Sequence, residues 1–297
     1  MTSRIERRRF LQASGLLLVG ASMPSLARSW GTAAAAEPND RLRKALGWSM
    51  IEEKLSIEDK LRLVKDVGFE GVEVNAGLGK PGAPESEELA RAAEKTGVVV
   101  HGVSGAQPDF EGAISEAAMY GATSVLHVVR ADPDKPFMET YRRSQEVIRA
   151  AIPLAEKNGI LILIENVWAT FLIEPLTMAR YIDELGSPNV QAYFDVGNVM
   201  RWGWPQHWIE VLGKRIRKVH VKEFSLTVAM SEGMLKGFDF PMGEGDINWQ
   251  RVRDELNRIG YRGWVTAEVR GGDRQRLADI SAQMDKILGL AAADKAQ

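Results

Sequence analysis

The chain has 297 residues, of which 45% are hydrophobic and 26% charged, with a net charge of −2 and no cysteine. Thiol catalysis, disulfide staples and cysteine–zinc sites are thereby excluded, and an acidic balance without a basic stripe interleaved with aromatics does not suit nucleic acid. With the unusual N-terminal segment set aside, roughly 260 residues remain, enough to bury a sizeable core without covalent help.

Residues 1–36 read as an export signal. Arg4, Arg7, Arg8 and Arg9 precede Phe10-Leu11-Gln12 and the apolar run Leu16-Leu17-Leu18-Val19, and small residues follow up to Ala33-Ala34-Ala35-Ala36. Basic, apolar, then small is the order of a secretory signal, and the apolar run is far shorter than the ~20 residues that cross a bilayer. The Arg7-Arg8-x-Phe10-Leu11 string resembles the twin-arginine signal, with an ordinary secretory signal as the alternative. That route carries folded proteins and implies a periplasmic destination. The segment holds five Arg and one Glu, so the remaining chain carries a net charge of −6. No membrane-length apolar stretch follows it. Residues 37–43 read as a polar linker, 44–290 as one domain and 291–297 as a flexible tail.

Strand and helix patterns then alternate. Lys44–Ser49 starts a strand, and Ser56–Val67 reads as a helix capped by Ser56. Gly71–Val74 is a second strand, followed by a helix over Glu85–Lys95. Val98–Val103 is a third, followed by a helix over Glu111–Tyr120. Ser124–Val129 is a fourth, followed by a long helix over Pro136–Asn158. Ile160–Ile164 is a fifth, followed by a helix over Pro175–Leu185. Val190–Phe194 is a sixth, followed by a short helix over Trp208–Leu212. Ile216–Val221 is a seventh, and a long loop, Phe224–Asn248, separates it from a helix over Trp249–Ile259. Gly263–Ala267 is an eighth strand, and Arg274–Leu288 closes the chain as a helix.

Eight apolar strands, each followed by a helix, predict an α/β fold: a single parallel (β/α)8 TIM barrel. Strands covered by helices are buried on both faces, which explains uninterrupted runs such as Ile160–Ile164. A doubly wound open sheet is the alternative, but no Gly-rich phosphate fingerprint follows the first strand.

Chemistry in such barrels sits at the C-terminal strand ends. Glu165 ends strand five, Asp195 strand six, His220 strand seven and Glu268 strand eight. Four consecutive strand ends are neighbours around the rim, so three carboxylates and one imidazole can converge on a single divalent cation. That donor set suits Mn²⁺, Mg²⁺ or Co²⁺ better than copper or an iron–sulfur centre.

The segments Glu165-Asn166, Phe194-Asp195-Val196-Gly197-Asn198, His220-Val221-Lys222-Glu223, Gly243-x-Gly245-x-Ile247-x-Trp249 and Ala267-Glu268 together resemble the xylose isomerase-like sugar isomerases and epimerases, with ketose 3-epimerases and hydroxypyruvate isomerase-like proteins as the nearest cousins. The resemblance covers most of residues 45–288. It implies one divalent metal, manganese first with Mg²⁺, Co²⁺ or Zn²⁺ as alternatives, held by Glu165, Asp195, His220 and Glu268. It also implies that Glu165 and Glu268 exchange the substrate proton. A cation on the carbonyl and neighbouring hydroxyl stabilises the enediolate, and two carboxylates on opposite faces act as base and acid.

The chain departs from those epimerases around the substrate. Asn198 stands where they carry a His, Glu223–Thr227 lacks their Arg, and Trp168–Phe171 lacks their second Glu. Other rim residues are expected to serve instead: Trp48 to stack on a sugar face, and His101, Asn198, Lys222 and Arg270 to contact substrate. Lys222 and Arg270 each lie two residues past a metal residue, the strand-alternation interval. The Met230–Pro241 loop is expected to be a lid or a surface insertion.

Export favours an unphosphorylated sugar or keto-sugar. The leading expectation is therefore a metal-dependent isomerase or epimerase. A lyase or hydratase acting on 3-keto-glycosides with the same metal and bases is the alternative, and a non-catalytic sugar-binding barrel the third. The expected partner is a small sugar or glycoside, with homo-oligomerisation possible within the family's range.

Overall fold

Leu161–Glu165 is buried at every position, as a parallel strand must be when helices cover one face and its own barrel the other. The computed structural model describes residues 41–77, 84–106, 109–168 and 171–290. Its strands are β1 (Leu42–Gly47), β2 (Gly71–Asn75), β3 (Val99–Ser104), β4 (Ser124–His127), β5 (Leu161–Glu165), β6 (Val190–Asp195), β7 (Ile216–Val221) and β8 (Gly263–Ala267). They close into a barrel in sequence order, all parallel, and β8 returns to β1 with Leu42 opposite Gly263 and Leu46 opposite Ala267.

The helices are α1 (Ile57–Asp66), α2 (Pro84–Thr96), α3 (Phe110–Tyr120), α4 (Phe137–Asn158), α5 (Pro175–Leu185), α6 (Pro205–Leu212), α7 (Leu226–Glu232), α8 (Trp249–Arg258) and α9 (Arg274–Leu288). Ser56 caps α1 as expected, its hydroxyl accepting from the Asp59 amide at 3.1 Å, and Gly121 closes α3 in the left-handed region that disfavours other residues. No described helix is long and apolar enough to cross a membrane.

The barrel interior is visible in contacts that span non-adjacent strands. Tyr193 donates to Thr266 at 3.1 Å, and Lys218 donates to Ser124 at 2.7 Å and to the His101 carbonyl. Strand alternation then places Glu165 above Leu163, Asp195 above Tyr193, His220 above Lys218 and Glu268 above Thr266. The four expected metal residues thus cap an interior layer rather than sitting on loops.

Several boundaries differ from the sequence reading. β1 begins at Leu42 and ends at Gly47, and Trp48–Met50 is a 3₁₀ turn. Leu42 and Arg43, expected as linker, are thus strand residues. β4 stops at His127, two residues early. The stretch expected to be loop after β7 contains α7 and a 3₁₀ turn, Met234–Phe238. α7 is capped twice: the Ser225 hydroxyl accepts from the Val228 amide at 3.4 Å, and Asp246 accepts from the Leu226 amide at 2.6 Å. The export signal, most of the linker and the tail lie outside the described residues.

Candidate metal centre

Glu165 and Asp195 are the last residues of β5 and β6, His220 is the penultimate residue of β7, and Glu268 follows β8 directly. Asp195 pairs in register with His220, and the Glu268 amide extends the ladder to the Val221 carbonyl at 3.0 Å. One potential ligand atom from each of the four residues lies within 4.8 Å of the others. His220 Nδ1 is the hub, 2.9 Å from Glu165 Oε1, 3.7 Å from Glu268 Oε2 and 4.0 Å from Asp195 Oδ2. Asn166 sets the frame: its side chain donates to the Asp195 carbonyl and accepts from the Asp195 amide, both at 2.8 Å. The Asn198 amide takes Asp195 Oδ1 at 2.7 Å, which leaves Oδ2 aimed at the centre. That oxygen is buried, 2.9 Å from Lys222 Nζ, yet accepts no well-directed hydrogen bond among the described residues.

Charge at this site is crowded and dry. Burial pushes the Asp195 carboxyl up to about 7 despite Lys222 beside it, and burial also raises Glu165. For Glu268 burial works in the same upward direction, but His220 and Lys222 outweigh it and hold the group at about 2. Burial disfavours the His220 imidazolium, yet Glu268, Glu73 and Glu165 keep its pKa well above the ordinary histidine range. His220 and Lys222 are the basic groups that face these carboxylates. Three carboxylates and one imidazole, with an acidic oxygen lacking a directed donor, are a donor set that fits a divalent cation.

A cavity of about 140 Å³ lies beside these residues, lined by Glu165, His220 and Glu268 on one side and by Gly47, Ser49, Glu73, Asn75, Ser104, Leu126, Thr266 and Ala267 elsewhere. Lys222 joins the centre: its ammonium ion-pairs with Asp195 and Glu268 and contacts Asn198 Oδ1 at 3.4 Å. Asn198 is spent on framing, since its side chain also donates to the Asn166 carbonyl and its own carbonyl accepts from Trp168 Nε1 at 2.7 Å.

Three expected substrate contacts are placed elsewhere. His101 does not end β3: the β2–β3 pairing skips it, its ring is fully buried and stacked on Trp264, and Nε2 meets Thr266 at 3.0 Å in the layer beneath the centre. Trp48 is buried in its turn with Lys60 over the ring and lies outside the cavity wall. Arg270 is exposed beyond the end of β8, where strand alternation no longer applies, and does not line the cavity.

Residues 61–288 match the family described as xylose isomerase-like TIM barrel. The chain belongs to that family. Among relatives, it is 27% identical over 131 residues to a candidate L-ribulose-5-phosphate 3-epimerase of Escherichia coli (strain K12), covering 44% of this chain and 45% of that one. It is also 27% identical over 129 residues to an inosose dehydratase of Histophilus somni (strain 129Pt), covering 39% and 43% of the two chains. The chain thus spans less than half the length of these curated relatives. Among solved structures, the IolI protein with a bound zinc atom is similar with a TM-score of 0.69 and 14% identity, covering 84% of this chain and 99% of that one.

Within this xylose isomerase-like barrel, the segments that carried the resemblance have physical roles. Glu223 is fully buried and accepts from the amides of Gly243 (2.6 Å) and Ile247 (3.3 Å) and from Trp249 Nε1 (2.8 Å), pinning the glycine-rich segment against β7. A Cβ on Gly245 would come within 2.6 Å of the Glu223 side chain. Gly197 has ordinary helical angles, but a Cβ there would meet Lys222 Cγ at 2.2 Å. Gly197→Ala is therefore expected to displace the Lys222 ammonium from Asp195 and Glu268. Opposed charges ~4 Å apart near a protein surface interact by a few kcal/mol, so losing that cation should tighten Co²⁺ or Mn²⁺ binding by about a hundredfold. Calorimetric titration of Gly197→Ala beside Lys222→Met tests this; parental affinity in both would place the ammonium away from the ligands.

Proposed function

We propose that this chain is a metal-dependent sugar isomerase or epimerase that moves a proton on carbon next to a carbonyl of an unphosphorylated sugar or keto-sugar. The carrying observation is the convergence of Glu165, Asp195, His220 and Glu268 within 4.8 Å at the mouth of the barrel. Glu165, Asp195, His220 and Glu268 would hold the cation, manganese first. When bound, it supplies Lewis-acid stabilisation of negative charge on the substrate oxygens. The proteinaceous steps fall to Glu165 and Glu268, one removing the proton and the other returning it. The wall away from the ligands offers Ser49, Asn75 and Ser104, and among the described residues neither lysine nor arginine lines the cavity, which favours hydroxyls over phosphate.

The similarity to an inosose dehydratase supports a second reading, elimination from the same carbanion, in which a water or an aglycone leaves. Product mass separates the two: an epimerase conserves it, a lyase does not. The first test is elemental analysis of the purified chain beside Glu165→Ala and His220→Ala. About one divalent ion per parent chain, lost in both variants, is expected, and it directs a screen of free ketoses and 3-keto-glycosides. A parent that takes up no metal even after reconstitution leaves a sugar-binding barrel as the better reading.

We also propose export to the periplasm by the twin-arginine route, on the Arg7-Arg8-x-Phe10-Leu11 string. Lys at positions 7 and 8 should hold the protein in the cytoplasm. Undiminished export of that variant would point to the general secretory route.

A further inference from the structure

Glu73 is the central residue of β2, across the barrel from the metal residues, in a strand whose other buried members are apolar. It is 4% exposed, and burying a carboxylate costs several kcal/mol unless something specific answers it. The answer is His220: Glu73 Oε2 lies 2.9 Å from His220 Nε2. The opposite ring nitrogen, Nδ1, faces Glu165, Glu268 and Asp195. Tyr193 packs against the imidazole with ring centroids 4.2 Å apart.

The backbone aims Glu73 at this contact. The β2–β3 pairing shifts between Val72 and Glu73, setting Glu73 opposite Gly102. A Cβ at Gly102 would lie 3.1 Å from Glu73 Oε1, so the glycine keeps the carboxylate's berth open. An ionised carboxylate accepts hydrogen bonds and donates none. When a cation among Glu165, Asp195 and Glu268 takes the Nδ1 lone pair, the ring hydrogen falls on Nε2, where Glu73 stands to accept it.

We infer that Glu73 is a positioning residue: it fixes His220 as the Nε2–H tautomer and so presents Nδ1 to a divalent cation. The inference rests on the metal reading above. It makes Glu73 the outer partner of the histidine ligand, a relation in which the second ring nitrogen of a metal-bound histidine is held by a carboxylate. It also joins two halves of the barrel, because Glu73 lines the same cavity as the ligands it supports.

Zinc is the probe, on the full chain, because it is diamagnetic. Two-bond proton–nitrogen correlation spectra of the zinc-loaded, histidine-labelled protein report which nitrogen of each ring is protonated, and His220→Asn identifies the signal. The expected result is a proton on Nε2 of His220 with zinc at Nδ1. Glu73→Leu should then bind zinc ~10–100-fold more weakly, while Glu73→Gln, whose amide oxygen still accepts the hydrogen, should recover most of the loss. A proton on Nδ1 in the zinc-loaded parent overturns the inference, and so does parental zinc affinity in Glu73→Leu. If Glu73→Leu does not fold, the parent spectrum and the Glu73→Gln affinity decide, with a loss as large as that of a ligand deletion also overturning it. A parent that binds no zinc fails differently: it sinks the metal reading itself.

Discussion

Glu268→Gln is expected to retain a divalent cation to within about tenfold of the parent affinity, and to lose turnover by ~10²–10⁴-fold, the range of positioned acid–base catalysis. The amide keeps one oxygen for the metal but cannot carry the proton. The structure separates the two carboxylates by environment: Glu165 is buried and its pKa raised, first by burial, whereas Glu268 has a half-exposed side chain and is held at about 2 against burial by His220 and Lys222. Two acids pushed in opposite directions at one centre are the arrangement that divides acid from base roles. Solvent-deuterium exchange is the sharper readout. In D₂O, Glu268→Gln should still exchange the carbon-bound proton of the epimer that Glu165 faces, without interconverting the epimers, and Glu165→Gln should show the complementary pattern. Full turnover by metal-loaded Glu268→Gln would rule out the two-carboxylate mechanism.

The barrel was legible because its strands are buried twice over. A run such as Leu161–Ile164 has no solvent face to alternate toward, so it reads as an unbroken apolar segment between helices. The convergent cluster was legible for the complementary reason: Glu165 and Asp195 are polar residues that abruptly end such runs. The substrate residues were not, because their roles turn on one or two residues of strand length. His101 at a strand end would face the cavity; skipped by the pairing three residues earlier, it lies in the layer below. Arg270 shares Lys222's spacing from a ligand, but β8 ends at Ala267, so the alternation that carries Lys222 to the centre has lapsed there. Glu73 carries a local signal, a lone acid in the buried run Gly71–Val74, but its partner is 147 residues away. α7 adds to its local Ser225 cap a second one from Asp246, 20 residues beyond the amide it engages. Contacts at such separations leave no periodicity to read.

Asp195→Asn is expected to abolish tight metal binding and, in the metal-free protein, to raise stability at alkaline pH. Losing one of four ligands should weaken zinc by about a hundredfold, since ~10–16 kcal/mol shared over four ligands is roughly 3 kcal/mol each. The stability effect runs the other way. Burial lifts the folded pKa of Asp195 to about 7 from a reference value of 3.8. A carboxyl with a raised folded pKa binds more protons folded than unfolded between those values, so stability falls as pH rises through that window and the penalty is complete above about pH 7. His220 contributes in the same downward direction at higher pH: its raised folded pKa adds stability that is fully present below the ordinary histidine value and lost as pH climbs through the folded one. Glu268 acts oppositely, adding stability above its ordinary value that is lost only as pH falls toward about 2. The asparagine removes the Asp195 penalty while its side-chain oxygen can still accept from the Asn198 amide, which Asp195 Oδ1 engages at 2.7 Å. Urea melts in EDTA should therefore show little change at pH 4.5 and a gain of ~2–4 kcal/mol at pH 8. A loss at pH 8 would mean that the Lys222 ion pair, 2.9 Å from Asp195 Oδ2, outweighs burial, and that the aspartate stabilises the fold as well as ligating. The expected gain would instead mark Asp195 as a residue kept against folding stability for the cation it holds.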